Sequence, residues 1–227
     1  MKKLFQLFFI ISIFLIPVLS KADVLHYKNL NRIDFDIYRN NKNIGKHIFT
    51  FNRTNEITII NSEINFEIKK LGVVIYKYYV KGTETYKDGQ LIKFNSRTKQ
   101  NKKDKYVNLS LDVDEYLIDG SSFKGKVSTD AILGTWWNHS ITNAKSQISA
   151  VSGRIIKQKV AFLGKEVIEV QGKKVNTLHF NFFSSDPNLK KDKKLNTDVW
   201  YEEESLNWVK ASFDKKGKWE YKLVDIK

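Results

Sequence analysis

From Ile60 to Lys69 the chain changes character at every residue. Ile60, Ser62, Ile64, Phe66 and Ile68 alternate with Asn61, Glu63, Asn65, Glu67 and Lys69. Successive side chains point to opposite sides only in an extended chain, so this run buries one side as a β-strand and as nothing else. The rhythm recurs in Ile33-Phe35-Ile37, His47-Phe49-Phe51, Val74-Tyr76-Tyr78-Val80, Leu91 to Lys99, Val107-Leu109-Leu111-Val113 and Tyr116 to Ile118. It resumes in Gly153 to Ala161, Lys165 to Val170, Leu178-Phe180-Phe182, Thr197 to Tyr201, Asn207 to Phe213 and Trp219 to Ile226. Polar turn residues separate the runs, among them Asn40 to Asn43, Asp88-Gly89, Lys102 to Lys105 and Asp214 to Lys218, where Asn, Asp and Gly tolerate positive φ.

This spacing predicts a mainly β protein of about a dozen antiparallel strands in sequential hairpins. So many strands must curl, split or close. The expectation is a strongly curved sheet or open barrel around a short helical insert. No linker or low-complexity stretch divides the chain, so residues 23–227 read as a single domain.

The insert is Ser128 to His139, the one long break in the alternation. Ser128 or Thr129 can cap a helix start, Asp130 suits its positive end, and Gly134 keeps it short. The adjacent Trp136 and Trp137 can plug the core, which is the default for such side chains. They can also line an apolar cavity, with Thr135, Asn138 and His139 supplying its polar groups. These five residues are the candidate ligand-binding set, and both readings stay open at this point.

At the N-terminus, Met1-Lys2-Lys3 precedes an apolar run from Leu4 to Leu19, and Ser20-Lys21-Ala22 places small residues at a cleavage site. This is the layout of a secretory signal peptide, residues 1–22. The apolar run is short for a membrane span, and no Cys follows it to carry a lipid. The expected product is a periplasmic protein, not lipid-anchored, without a transmembrane segment in its mature chain.

Several chemistries lack their residues. With Cys 0 there is no disulfide, thiolate nucleophile or Cys-ligated metal. His26, His47, His139 and His179 lie far apart and form no metal-ligand spacing. No nucleophile elbow or phosphate-binding glycine loop occurs. No catalytic residue, cofactor or metal is therefore assigned. Asp34 with Asp36, and Glu202-Glu203-Glu204, are the only carboxylate sets that glycosidase-like chemistry could use, and solvated strand and turn positions are their default. The net charge of +14 comes from lysines read as scattered over many turns, without the Arg-rich stripe of a phosphate reader. No nucleic-acid partner is expected.

Asp36-Ile37-Tyr38, a polar turn and Ile44-Gly45-Lys46-His47, then Thr135, Trp137 and Asn138, Gly153-Arg154, and Asp198-Val199-Trp200-Tyr201 together resemble an exported bacterial family of unknown function. The family's Asp-Gly in the first turn is replaced here by Asn40 to Asn43. The resemblance implies a signal peptide and a β-rich fold, with an architecture similar to periplasmic lipoprotein carriers, and no established activity. The resulting expectation is a non-catalytic exported protein that binds an apolar small molecule or lipid in the concave face of its sheet. The alternatives are an envelope interaction or assembly factor, with an envelope protein as partner, and a hydrolase of envelope polymer.

Overall fold

The computed structural model describes residues 27–227. The signal-peptide assignment, residues 1–22, lies outside the described residues. The strands are β1 (Arg32–Arg39), β2 (Lys42–Thr54), β3 (Ile57–Lys70), β4 (Val73–Lys87), β5 (Gln90–Gln100), β6 (Lys103–Asp112), β7 (Glu115–Gly120) and β8 (Lys124–Ser128). After these come β9 (Ile132–Leu133), β10 (Ser146–Ile148), β11 (Ile155–Val170), β12 (Lys173–Ser184), β13 (Asn196–Glu202), β14 (Trp208–Asp214) and β15 (Lys218–Ile226). Tight turns join the long ones. Asn40 and Asn41 sit at φ 50 and 64, and Asp88-Gly89 at φ 48 and 78, the left-handed geometry that matches strand twist in two-residue hairpins.

The strands form one 15-stranded sheet in the order β8-β7-β6-β5-β4-β3-β2-β1-β15-β14-β13-β12-β11-β10-β9. The two halves of the chain meet because β1 pairs with β15, Phe35 opposite Leu223 and Ile37 opposite Tyr221. All neighbours run antiparallel except β9 and β10.

Two expectations are corrected. The sheet is open, neither closed into a barrel nor strongly curved, and its end strands β8 and β9 do not pair. Closure would need β9 to offer β8 a full ladder, and β9 is only two residues long. The helical insert is also absent. Ile132 and Leu133 pair with Gln147 and Ile148 instead, and before β10 the insert makes a 3-10 segment at His139–Asn143. The carbonyls of Ile141 and Ala144 accept from the Gln158 side chain at 3.2 and 3.0 Å, a tertiary partner in place of a helical one. A third difference is smaller. The runs 153–161 and 165–170 are one strand, β11, bulged between Phe162 and Gly164. Gly164 at φ 129 accommodates the bulge.

One face of the sheet carries the core. Phe35, Phe49, Phe94, Phe182, Trp208 and Tyr201 are fully buried there, each such side chain contributing about 1.5–3 kcal/mol. Phe35 stacks on Trp208 at 3.9 Å between ring centroids. Close strand approach needs Gly45, where a Cβ would lie 2.1 Å from the carbonyl oxygen of Asn65. Among the described residues no helix is long and apolar enough to cross a membrane.

Candidate functional site

The segment between β9 and β10 lies across the packed face of the sheet, and its two tryptophans address different strands. Trp137 is fully buried. Its ring meets Phe51 of β2 and Tyr27 edge-on at 5.4 Å and Tyr86 of β4 at 5.8 Å. Trp136 is held at φ 62 and packs edge-on to Trp208 and Tyr221 at 5.6 and 5.9 Å. Its carbonyl oxygen accepts from the Tyr201 hydroxyl at 2.9 Å. The left-handed backbone at Trp136 is what turns consecutive indoles toward the two halves of the sheet. Its own indole N–H is buried with no acceptor among the described residues.

The polar anchor beneath the indoles is Glu84 of β4, fully buried. The Trp137 Nε1–H donates to both its oxygens at 3.1 Å, the Tyr86 hydroxyl donates at 2.7 Å, and the Thr135 hydroxyl adds a third donor group. Burial pushes the Glu84 carboxyl up to about 7, against the opposing pull of these hydrogen bonds. Asn138 works on both sides of the cluster. Its Oδ1 caps the 3-10 turn by accepting from the Ser140 N–H at 3.0 Å, and its side chain bonds the Tyr86 hydroxyl. The His139 ring lies edge-on to Tyr201 at 4.9 Å, and its backbone N–H donates to the Tyr27 hydroxyl at 3.0 Å.

Beside this cluster opens a cleft of about 700 Å³. Tyr86, Leu91, Tyr116, Val127 and Leu133 give it apolar walls, and Asn138 with Ser140 stands at one margin. Gln147 and Gln158 fix the segment that bounds it, the Gln147 amide donating to the Gln158 oxygen at 2.6 Å. The fit at Gly134 is close, since a Cβ there would meet the Gln147 side-chain oxygen at 2.3 Å.

Residues 35–224 match the family described as Domain of unknown function (DUF6134). The chain belongs to the DUF6134 family. Its fold is similar to a solved structure from Brucella abortus, a "Beta-barrel-like Protein of Domain of Unknown Function DUF1849". The TM-score is 0.59 at 11% identity, over 87% of this chain and 96% of that one. A DUF1329 family protein from Desulfovibrio piger ATCC 29098 aligns over 87% of this chain and 84% of its own at 9% identity, but with a TM-score of 0.26. No curated protein matches the chain. DUF6134 membership names no reaction, so the side chains themselves carry the functional argument.

The five residues singled out in this DUF6134 chain do come together, but unequally. Thr135, Trp137 and Asn138 are buried around Glu84, while Trp136 and His139 are half-buried and face the β13–β15 side. Of the five, Asn138 alone borders the cleft. Glu84 escaped the sequence reading. Its signal was its phase, because Val80, Gly82, Glu84 and Tyr86 are successive inward positions of β4 and all are buried. A carboxylate in an apolar phase needs donors, and they come from a segment 53 residues away.

The other sequence candidates are otherwise engaged. Asp34 is ion-paired with Arg32 at 2.8 Å. Glu202 accepts from the Ser205 N–H, and Glu203 pairs with Lys165. His47 is buried against Phe49 at 4.2 Å, and burial lowers its imidazole to about 3. His179 stacks on Trp200 at 4.1 Å, with Glu166 at 3.0 Å and Asp198 at 3.2 Å. Strand register builds that group, since His179 lies opposite Trp200 across β12 and β13. No cluster that could hold a metal ion occurs among the described residues.

Proposed function

We propose that this protein is a non-catalytic exported protein that holds an apolar small molecule or lipid in the cleft beside the Trp137–Glu84 cluster. The observation that carries the reading is the cleft of about 700 Å³ with apolar walls and a polar margin. That size suits a ligand pocket, and polar side chains, Asp130 and Lys145 among them, line the space alongside the apolar ones. The indoles themselves fill the sheet face, so the space for a ligand lies alongside them, bounded by the segment they anchor. Glu84 serves this arrangement by holding Trp137, and hence the wall bearing Asn138, in place. The N-terminal leader supports export to the periplasm, where an apolar cargo needs a carrier.

Native mass spectrometry of protein purified from its own cell envelope tests the reading. A bound apolar molecule is expected, and Val127→Trp, which adds bulk at a half-buried wall position, should release it while leaving the fold intact. Clean unliganded protein, with no fluorescence change on lipid addition, refutes it.

A second reading, an envelope assembly factor, draws on the open sheet. Strand β8 ends it with alternately exposed residues, an edge to which a partner strand could add. Crosslinking in cells from a β8 position would then trap one dominant protein partner.

A further inference from the structure

The lysines that look scattered in the sequence are pooled by the topology. Antiparallel neighbours put alternate turns at opposite ends of the sheet, and the β1–β15 pairing, Arg39 opposite Trp219, brings the turns of both halves into the same frame. One end therefore collects Lys69 and Lys70 at β3–β4, Lys102 and Lys103 at β5–β6, and Lys215 and Lys216 at β14–β15. The loop before β13 adds a run from Lys190 to Lys194 broken only by Asp192. The other end holds Glu56, Asp112, Asp114, Glu115 and Glu202 to Glu204 together with Lys87, Lys173 and Lys174, so its charges are mixed.

The basic turns share one field. Burial first, then repulsion from Lys103, Lys215 and Arg154, lowers the Lys105 ammonium from its ordinary value. The Arg154 side chain also donates to the Lys193 carbonyl at 3.2 Å, and Asn101 binds the backbone of Lys77. The β10–β11 and β12–β13 connections are thereby joined, and the β5–β6 turn is tied to strand β4.

Between the β1–β2 and β5–β6 turns of this end projects an aliphatic tip. Leu71 is 96% exposed, Val73 65% and Ile75 55%. Leu71 occupies the left-handed turn position at φ 51, which Asn40, Asn55, Asp88 and Asn101 take in four other hairpins and Val113 and Gln171 in two more; unlike Val113, Leu71 is flanked by further exposed aliphatics and by lysines. Among the described residues nothing buries that leucine. A groove of about 760 Å³ between this tip and the β5–β6 turn is lined by Val74, Ile75, Tyr76, Lys77, Lys102 and Lys103.

We propose that this end docks the protein on an anionic lipid surface, with Leu71, Val73 and Ile75 entering the headgroup region and the surrounding lysines meeting lipid phosphates. Charge complementarity selects an anionic partner, and the aliphatic tip selects lipid among anions. A soluble polyanion would engage the lysines and leave three aliphatic side chains in water. Apolar insertion together with basic attraction is the pairing of forces that holds interfacial proteins on membranes. The surface is separate from the ligand cleft and stands or falls independently of it.

The chain has no Cys, so Leu71→Cys or Val113→Cys in the full chain gives a single labelling site. Val113 is 91% exposed in a turn at the other end and serves as the control. An environment-sensitive fluorophore at position 71 should shift with phosphatidylcholine vesicles containing phosphatidylglycerol and not with phosphatidylcholine alone, while position 113 stays unchanged. Replacing Lys102 or Lys103 by Gln should weaken partitioning by about fivefold each. Leu71→Asn should weaken it by at least about tenfold with no loss of thermal stability, since Asn suits the turn. No shift at position 71, an equal shift at 113, a shift that needs no anionic lipid, or tighter binding to polyphosphate than to anionic vesicles would overturn the proposal.

Discussion

Replacing Glu84 by Gln should make the protein more stable in alkali and leave it little changed in acid. The carboxyl is raised from 4.5 to about 7 by burial. The folded state therefore holds this proton more tightly than the unfolded state does. Its stabilising contribution is fully present below 4.5 and is lost as pH rises through about 7. Each pKa unit corresponds to about 1.4 kcal/mol, so the loss across the window is about 3 kcal/mol. Gln keeps the shape and an oxygen to accept from Trp137 Nε1, and it never ionises. Urea unfolding followed by tryptophan fluorescence, run on both proteins across the pH range, measures the effect. His47 titrates in an overlapping range with the opposite sign, so the informative quantity is the difference between the two curves. That difference should be flat in acid, grow as pH rises from 4.5 and level off above about 7. A difference that stays constant with pH would show that Glu84 does not change charge on this account and would sink the reasoning.

Burial lowers His47 from 6.5 to about 3, so stability should be lost as pH falls through that interval; His47→Phe should remove this acid-side loss, as read by thermal melts at a series of pH values. Trp137→Phe keeps an aromatic ring but withdraws the indole donor from a buried carboxylate, and a loss of about 1–3 kcal/mol is expected in urea unfolding. Truncation to Ala should cost more, about 3–5 kcal/mol, because a cavity is added. Gln158→Leu strands the carbonyls of Ile141 and Ala144, and hydrogen exchange should speed up across 139–147 more than in the β2–β5 ladders.

The strands were legible because period-two alternation is a local property. Ile60 to Ile68 and Phe35-Ile37 announce a buried face without knowledge of the neighbour they pack on. The turn residues announce reversals for the same reason, as positive φ at Asn40 or Asp88 is a property of the residue itself. The insert misled because capping signals at Ser128 and Thr129 are weak beside tertiary pairing. Ile132 and Leu133 satisfy their backbone through β10, and Gln158 takes up the carbonyls a helix would have used. Glu84 was hidden for a related reason: its donors on Thr135 and Trp137 reach it only through the fold.

By itself, then, the sequence determined the β class, most strand positions, the turns and the singular character of Trp136-Trp137. These follow from side-chain alternation and backbone preference over a few residues. Only the tertiary structure decided that β1 joins β15, that a buried carboxylate anchors the insert, that the free space lies beside the indoles, and that several lysine-rich connections gather at one end. Each of these depends on which distant segments share a ladder. Strand pairing is set by the summed burial of whole faces, which no short stretch of residues encodes alone.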